Sequence, residues 1–131
     1  MLNVNSEKPT REPSAPQAAM RELPARQHES CRLAAMLAAD AFQIPLPQVI
    51  AGTRGSIESA HARQAAMYLA HVALGIPLTV IGRFFGRDHS TIAHGCRRVE
   101  DRRDDSGFDA LIAELALAAR IAMHLDREIT A

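Results

Sequence analysis

The sequence predicts an all-α protein, a small helical bundle containing a helix-turn-helix. Three observations carry this prediction. Apolar residues recur at helical spacing from about residue 27 onward, and no stretch alternates as a strand does. Aromatic residues are only 4 % of a chain that is 47 % apolar, so the core must be built from Ala, Leu, Ile, Val and Met. That composition suits packed helices better than a sheet sandwich. Finally, two short apolar-patterned segments are joined by Gly86-Arg87-Asp88, a tight turn with glycine in it.

The 131 residues give room for one small domain and a tail. Residues 1–24 hold Pro9, Pro13, Pro16 and Pro24 among polar residues with no apolar period, and read as a flexible tail. Residues 25–131 are expected to be the folded unit. A first helix is predicted over about 27–42, with Leu33, Met36, Leu37 and Ala41 on its apolar side. Pro45 and Pro47 stop it and open a short helical turn near 48–51. Gly52-Thr53-Arg54-Gly55 then breaks the chain. The next helix is predicted over 61–74. Ala62, Ala65, Ala66, Leu69, Val72 and Ala73 form its core face, Met67 lies on the other side, and Gly75 is its C-terminal cap. The helix-turn-helix follows over about 79–103, with Val80, Ile81 and Phe84 as candidate core and Asp88 as the cap of its second helix. A last helix is predicted over about 108–128. Its apolar residues exceed one stripe, which leaves a surplus for a dimer or protein partner.

Composition excludes several classes of function. No apolar run approaches the length of a membrane-spanning helix, so no membrane association is expected. No basic patch precedes an apolar stretch at the N-terminus, so no signal peptide is read there. Cys31 and Cys96 form neither a disulfide framework nor a metal pattern, and His89 and His94 are five residues apart, off the spacing of a helical zinc pair. No phosphate-cradling glycine loop is present, and the adjacent residues Asp88, His89 and Ser90 cannot line up as a catalytic triad. The expectation is no enzyme, no cofactor and no metal, in a reduced cytoplasm.

The net charge is zero, but its distribution is uneven. Residues 61–103 carry seven arginines against three acids, whereas residues 104–131 carry two arginines against six acids. A basic middle next to an acidic end suits a polyanion met by one surface only. At about 100° per residue, Ile92, Cys96 and Val99 share the buried side of the second helix of the pair. Ser90, His94, Arg97 and Arg98 share the opposite side, with Thr91 at its edge and Asp88 and His89 at the helix entrance. These groups match duplex DNA chemically. Asp accepts from a cytosine amino group, His donates to purine N7 or O6, and Ser does either. Arg97 and Arg98 are placed for phosphates, as are the Thr91 hydroxyl and the His94 ring.

The segment from Ala62 to Ala70, Ala-Arg-Gln-Ala-Ala-Met-Tyr-Leu-Ala, and the segment from Ile81 to Arg98, which contains Gly-Arg-Asp-His-Ser-Thr-Ile-Ala-His-Gly-Cys-Arg-Arg, carry a more specific signal. Together they closely resemble the C-terminal DNA-binding domain (domain IV) of the bacterial chromosomal replication initiator family, DnaA. The resemblance covers roughly residues 29–126. It implies a helical domain whose recognition helix enters the major groove of a short duplex element, the DnaA box, at a replication origin or promoter. Carried over by motif, Asp88, His89 and Ser90 are the base readers. Arg63, Gln64, Leu78, Thr79, Thr91, His94 and Arg98 are phosphate contacts, and Arg87 and Arg97 are candidates for additional backbone contacts.

The sequence also departs from the family pattern. The family's minor-groove arginine falls on Gly55 here, and Arg54 replaces it by a shift of one residue. The surrounding stretch, residues 53–60, is read as a loop poor in basic charge, with Ile57 and Glu58 in it. Nothing in the sequence resembles the ATP-binding part of the initiator, so a freestanding DNA-reading module is expected. It would regulate transcription or replication initiation. The alternative function is a protein-interaction module that binds replication or proteolysis partners through the tail and the last helix.

Overall fold

A computed structural model describes residues 15–52 and 55–130 of the chain. Among these residues six α-helices and no strand are formed: α1 (Ala15–Phe42), α2 (Leu46–Ala51), α3 (Ile57–Tyr68), α4 (Leu78–Phe85), α5 (His89–Arg102) and α6 (Ser106–Thr130). A π-helical segment, Leu69–Ala73, continues α3. No helix among the described residues is long and apolar enough to cross a membrane.

The first helix begins earlier than its apolar period suggests. α1 starts at Ala15, so residues 15–24 belong to a helix and not to the expected tail. The run Gln17-Ala18-Ala19-Met20-Arg21-Glu22-Leu23 consists of strong helix formers, so intrinsic propensity favours a helix there. The tail assigned to residues 1–14 lies outside the described residues.

On α1 the core differs from the predicted one in the size of its residues, while on α3 it matches the prediction at Ala62, Ala65 and Ala66. On α1 the fully buried positions are Cys31, Ala34, Ala35 and Ala38, while Met36 is 48 % exposed. On α3 they are Ala62, Ala65 and Ala66. Small side chains let the two helix backbones approach closely, and the larger Leu37 packs at the margin. α3 packs against α1 and α5. For that reason Met67 and Tyr68, which a one-sided helix would expose, are also buried, each 2 % exposed. The π segment then advances the chain by an extra residue in the turn, with the Leu74 N–H donating to the Leu69 carbonyl at 3.0 Å. This turns Val72 outward, to 48 % exposure, against the prediction. Gly75 ends the helix with φ +69°, as its sequence position implies.

The helix-turn-helix is formed by α4 and α5. Ile81 and Phe85 of α4 are buried, and so are Ile92, Cys96 and Val99 of α5. Val80 and Phe84 are only half-buried, and the Phe84 ring meets Phe85 edge-on at 5.0 Å. Gly86 adopts the left-handed conformation, φ +67°. Gly82 is required for a different reason: a Cβ there would lie 2.5 Å from the Arg87 carbonyl oxygen. On α6, Ile112, Leu115 and Ala119 face the core, while Leu117, Ile121 and Leu125 are 57 %, 50 % and 53 % exposed. The expected apolar surplus of the last helix is therefore on the surface.

Candidate nucleic-acid interface

The turn at Gly86 places Asp88, His89 and Ser90 at the entrance of α5, all three exposed. Asp88 caps the helix. Its Oδ2 accepts from the Ser90 backbone N–H at 3.0 Å and from the Ser90 hydroxyl. These hydrogen bonds hold the carboxyl below the ordinary carboxylate range, so it is ionised at neutral pH. The other oxygen, Oδ1, lies 3.6 Å from His89 Nδ1. Asp88 thus orders the tip of the helix while its side chain stays largely exposed. Because the Ser90 hydroxyl proton is engaged by Asp88, the lone pairs of Ser90 Oγ remain to accept.

Thr91, His94, Arg97 and Arg98 are all exposed on α5. Thr91 and His94 line a groove between α3 and α5, together with Arg63, Gln64 and Arg87. The structure thus brings together five of the sequence-predicted contact residues from three segments of the chain. Gly95 lines this groove, where a Cβ on it would make ordinary van der Waals contact with Met67 Sδ at 3.4 Å and Gln64 Cγ at 3.5 Å. Thr79, exposed, and Leu78, half-buried, stand in the first turn of α4 with Pro77 before them.

Two of the predicted contact arginines have structural partners. Arg63 donates from Nη2 to the Gln48 carbonyl at 2.7 Å and from Nε to the Val49 carbonyl at 3.1 Å. Arg87 donates from Nη2 to the Gly52 carbonyl at 2.6 Å and from Nη1 to the Phe85 carbonyl at 2.8 Å. The C-terminal carbonyls of α2 have no helical partners, and these guanidinium groups satisfy them. Burial, and then the neighbouring Arg87 charge, lower the pKa of Arg63. Arg63 therefore ties α2 to α3 and Arg87 ties the α2 end to the helix-turn-helix, and only their remaining N–H groups are available to a ligand.

The stretch expected as a loop over residues 53–60 is shorter than that. α3 begins at Ile57 with Ser56 as its cap, whose hydroxyl accepts from the Ser59 N–H at 3.1 Å. Ile57 and Glu58 are consequently in the first helical turn, because Ser-Ile-Glu-Ser is a good helix start. Arg54, the candidate minor-groove residue, lies outside the described residues. The thiols of Cys31 and Cys96 are buried, and burial pushes them up to about 12 and about 11, which suits inert core residues.

The comparisons with known proteins agree with this architecture. Residues 35–99 match the family model of the bacterial dnaA protein helix-turn-helix. A chromosomal replication initiator protein DnaA from Lachnoclostridium phytofermentans is 47 % identical over 55 residues, 40 % of this chain and 12 % of that protein. The corresponding protein of Acholeplasma laidlawii is 42 % identical over 74 residues, 55 % of this chain and 16 % of that protein. The chain thus spans less than a fifth of these curated relatives. A crystal structure of a DNA replication initiation factor shares the fold, with a TM-score of 0.70 at 23 % identity, over 79 % of this chain and 32 % of that one. Residues 35–99, which run from α1 into α5, are thus similar to the bacterial dnaA protein helix-turn-helix family, with the helix-turn-helix itself at α4 and α5.

Proposed function

We propose that this protein binds double-stranded DNA sequence-specifically at a DnaA-box-like element and regulates replication initiation or transcription in a bacterial cytoplasm. The observation that carries the proposal is the exposed, capped tip of α5, where Asp88, His89 and Ser90 stand beside the groove lined by Thr91 and His94. In this reading α5 enters the major groove N-terminus first. Asp88 Oδ1 and Ser90 Oγ accept from base amino groups, and His89 donates to a purine. Thr91, His94, Arg97 and Arg98, with Gln64, Leu78 and Thr79, meet the backbone and set the register. Arg63 and Arg87 act mainly by holding α2 against this surface. Selection of bound duplexes from a random pool tests the proposal. Recovery of a short consensus, whose discrimination His89→Ala removes, is expected. Equal binding to all duplexes, or none at low salt, refutes it.

A second reading is favoured by the apolar row on α6. Leu117, Ile121, Leu125 and Ile129 are all at least half exposed on the side away from Ile112 and Ala119. Such a row covers itself with a protein partner or a second copy of the chain. The partner interaction would be lost in Leu117→Asp or Ile121→Asp and kept in Arg98→Ala; the opposite pattern excludes it.

A further inference from the structure

The groove between α3 and α5 continues beyond the residues assigned above. Its continuation shares Gln64 with the first part and is lined further by Ile57, His61, Arg98, Asp101 and Arg102. On α5 the side chains along it are Thr91, His94, Arg98 and Arg102, separated by three, four and four residues and so in one row. Arg102 stands one turn past Arg98, about 6 Å of helix rise. Its guanidinium lies over the Phe108 ring at 4.1 Å. Its Nη1 is buried with no hydrogen-bond partner among the described residues. His61 faces it from α3, and its pKa is lowered by burial first and by the Arg102 and Arg98 charges as well.

Three cationic or protonatable groups therefore converge on one recess. The acids nearby are Glu58 on the histidine's own helix, Asp101 on α5 and Asp105, which lines a recess with Arg102 and Phe108. None of them makes a salt bridge to His61, Arg98 or Arg102 among the described residues. Partly desolvated N–H groups without acceptors cost free energy, and an entering anion relieves that cost. We infer that His61, Arg98 and Arg102 form a further phosphate subsite, which receives a DNA backbone phosphate beyond those met by Thr91 and His94. The inference rests on the DNA-binding reading above and extends its footprint by two residues, His61 and Arg102, that the sequence motif does not mark.

The test uses the full chain and a duplex recovered by selection, with affinity measured over a series of salt concentrations. Arg102→Met removes the charge and keeps an apolar stem over Phe108. It is expected to weaken binding about tenfold and to reduce the slope of log affinity against log salt by about one, with base preference unchanged. Wild-type protein is expected to be sensitive to neutral methylphosphonate substitution at one outer phosphate where Arg102→Met is not. His61→Gln is expected to match wild type at pH 8 and to bind more weakly at pH 6, where a bound phosphate keeps His61 protonated. If Arg102→Met does not fold, as read by circular dichroism, the His61→Gln comparison and the wild-type phosphate scan decide. Unchanged slopes in both variants, with His89→Ala still losing discrimination, overturn the subsite alone. Failure of wild type to bind any duplex overturns the DNA reading as well.

Discussion

Asp88 caps α5 through Oδ2, and in the proposed reading its Oδ1, 3.6 Å from His89 Nδ1, would accept from a base. Asparagine caps a helix about as well as aspartate but brings an amide in place of a second acceptor oxygen. Asp88→Asn is therefore expected to melt within a few degrees of wild type yet to lose preference at one base position. Asp88→Ala is expected to lose both stability and preference. Thermal melting with parallel duplex selection separates the two. The pKa of Asp88 is depressed in the folded protein, so its stabilising effect is present above the ordinary carboxylate pKa. That effect is lost as pH falls through the lowered value. Asp88→Ala and wild type should thus converge in stability in strong acid and differ at neutral pH. The residue types at positions 88–90 are enough to suggest base reading. The division of the two carboxylate oxygens is not legible in the sequence, because it depends on the rotamer that the cap selects.

At the scale of the element, the turn between α4 and α5 depends on two glycines for different reasons. Gly86 has φ +67° with open space around its Cβ direction, so alanine there meets backbone strain alone, about 1–2 kcal/mol. Gly82 has ordinary helical geometry, but its added Cβ would strike the Arg87 carbonyl at 2.5 Å. Main-chain atoms cannot rotate away, so the turn itself must open. Gly82→Ala is expected to cost about 1–3 kcal/mol in urea unfolding. It is also expected to weaken DNA binding, because Arg87 and Asp88 move with the turn. Gly86→Ala is expected to lower stability with a smaller effect on binding. Equal binding losses in the two variants would contradict this distinction. Gly86 was legible in the sequence as a turn residue. Gly82 was not, since a close approach of two backbone segments leaves no periodic trace.

At the scale of the whole molecule, Tyr68 connects three helices. Its side chain is 2 % exposed, and its hydroxyl donates to the Glu100 carboxylate and accepts from Arg103 Nη1 at 2.8 Å. Arg103 Nε in turn donates to Asp109 Oδ1 at 2.5 Å, reaching α6. Burial and the Glu100 hydrogen bond raise the phenol pKa, so the neutral form prevails in the folded state. Tyr68→Phe leaves the ring packed and removes the hydroxyl. It is expected to cost about 1.5–3 kcal/mol in urea unfolding, the range for hydrogen bonds to charged partners. A loss below the error of the measurement would show that Arg103 and Glu100 find each other or water without it. The raised phenol pKa also means that wild-type stability falls as pH rises through the ordinary tyrosine range, a decline that Tyr68→Phe should not share.

The sequence by itself determined the helical class, the helix-turn-helix and the face of α5 that carries Ser90, His94, Arg97 and Arg98, because helical periodicity and turn residues are local properties. It also determined the apolar burial of Ile92, Cys96 and Val99. Tertiary structure alone decided that Ala34 and Ala35 would be core while Met36 and Val72 were not. Which apolar residues are covered depends on how closely the helices approach and on how many neighbours each has. It decided, too, that Arg63 and Arg87 would hold the carbonyls of α2 and that His61 and Arg102 would meet across one groove. Those pairings join residues far apart in the chain, and only packing sets the distance between them.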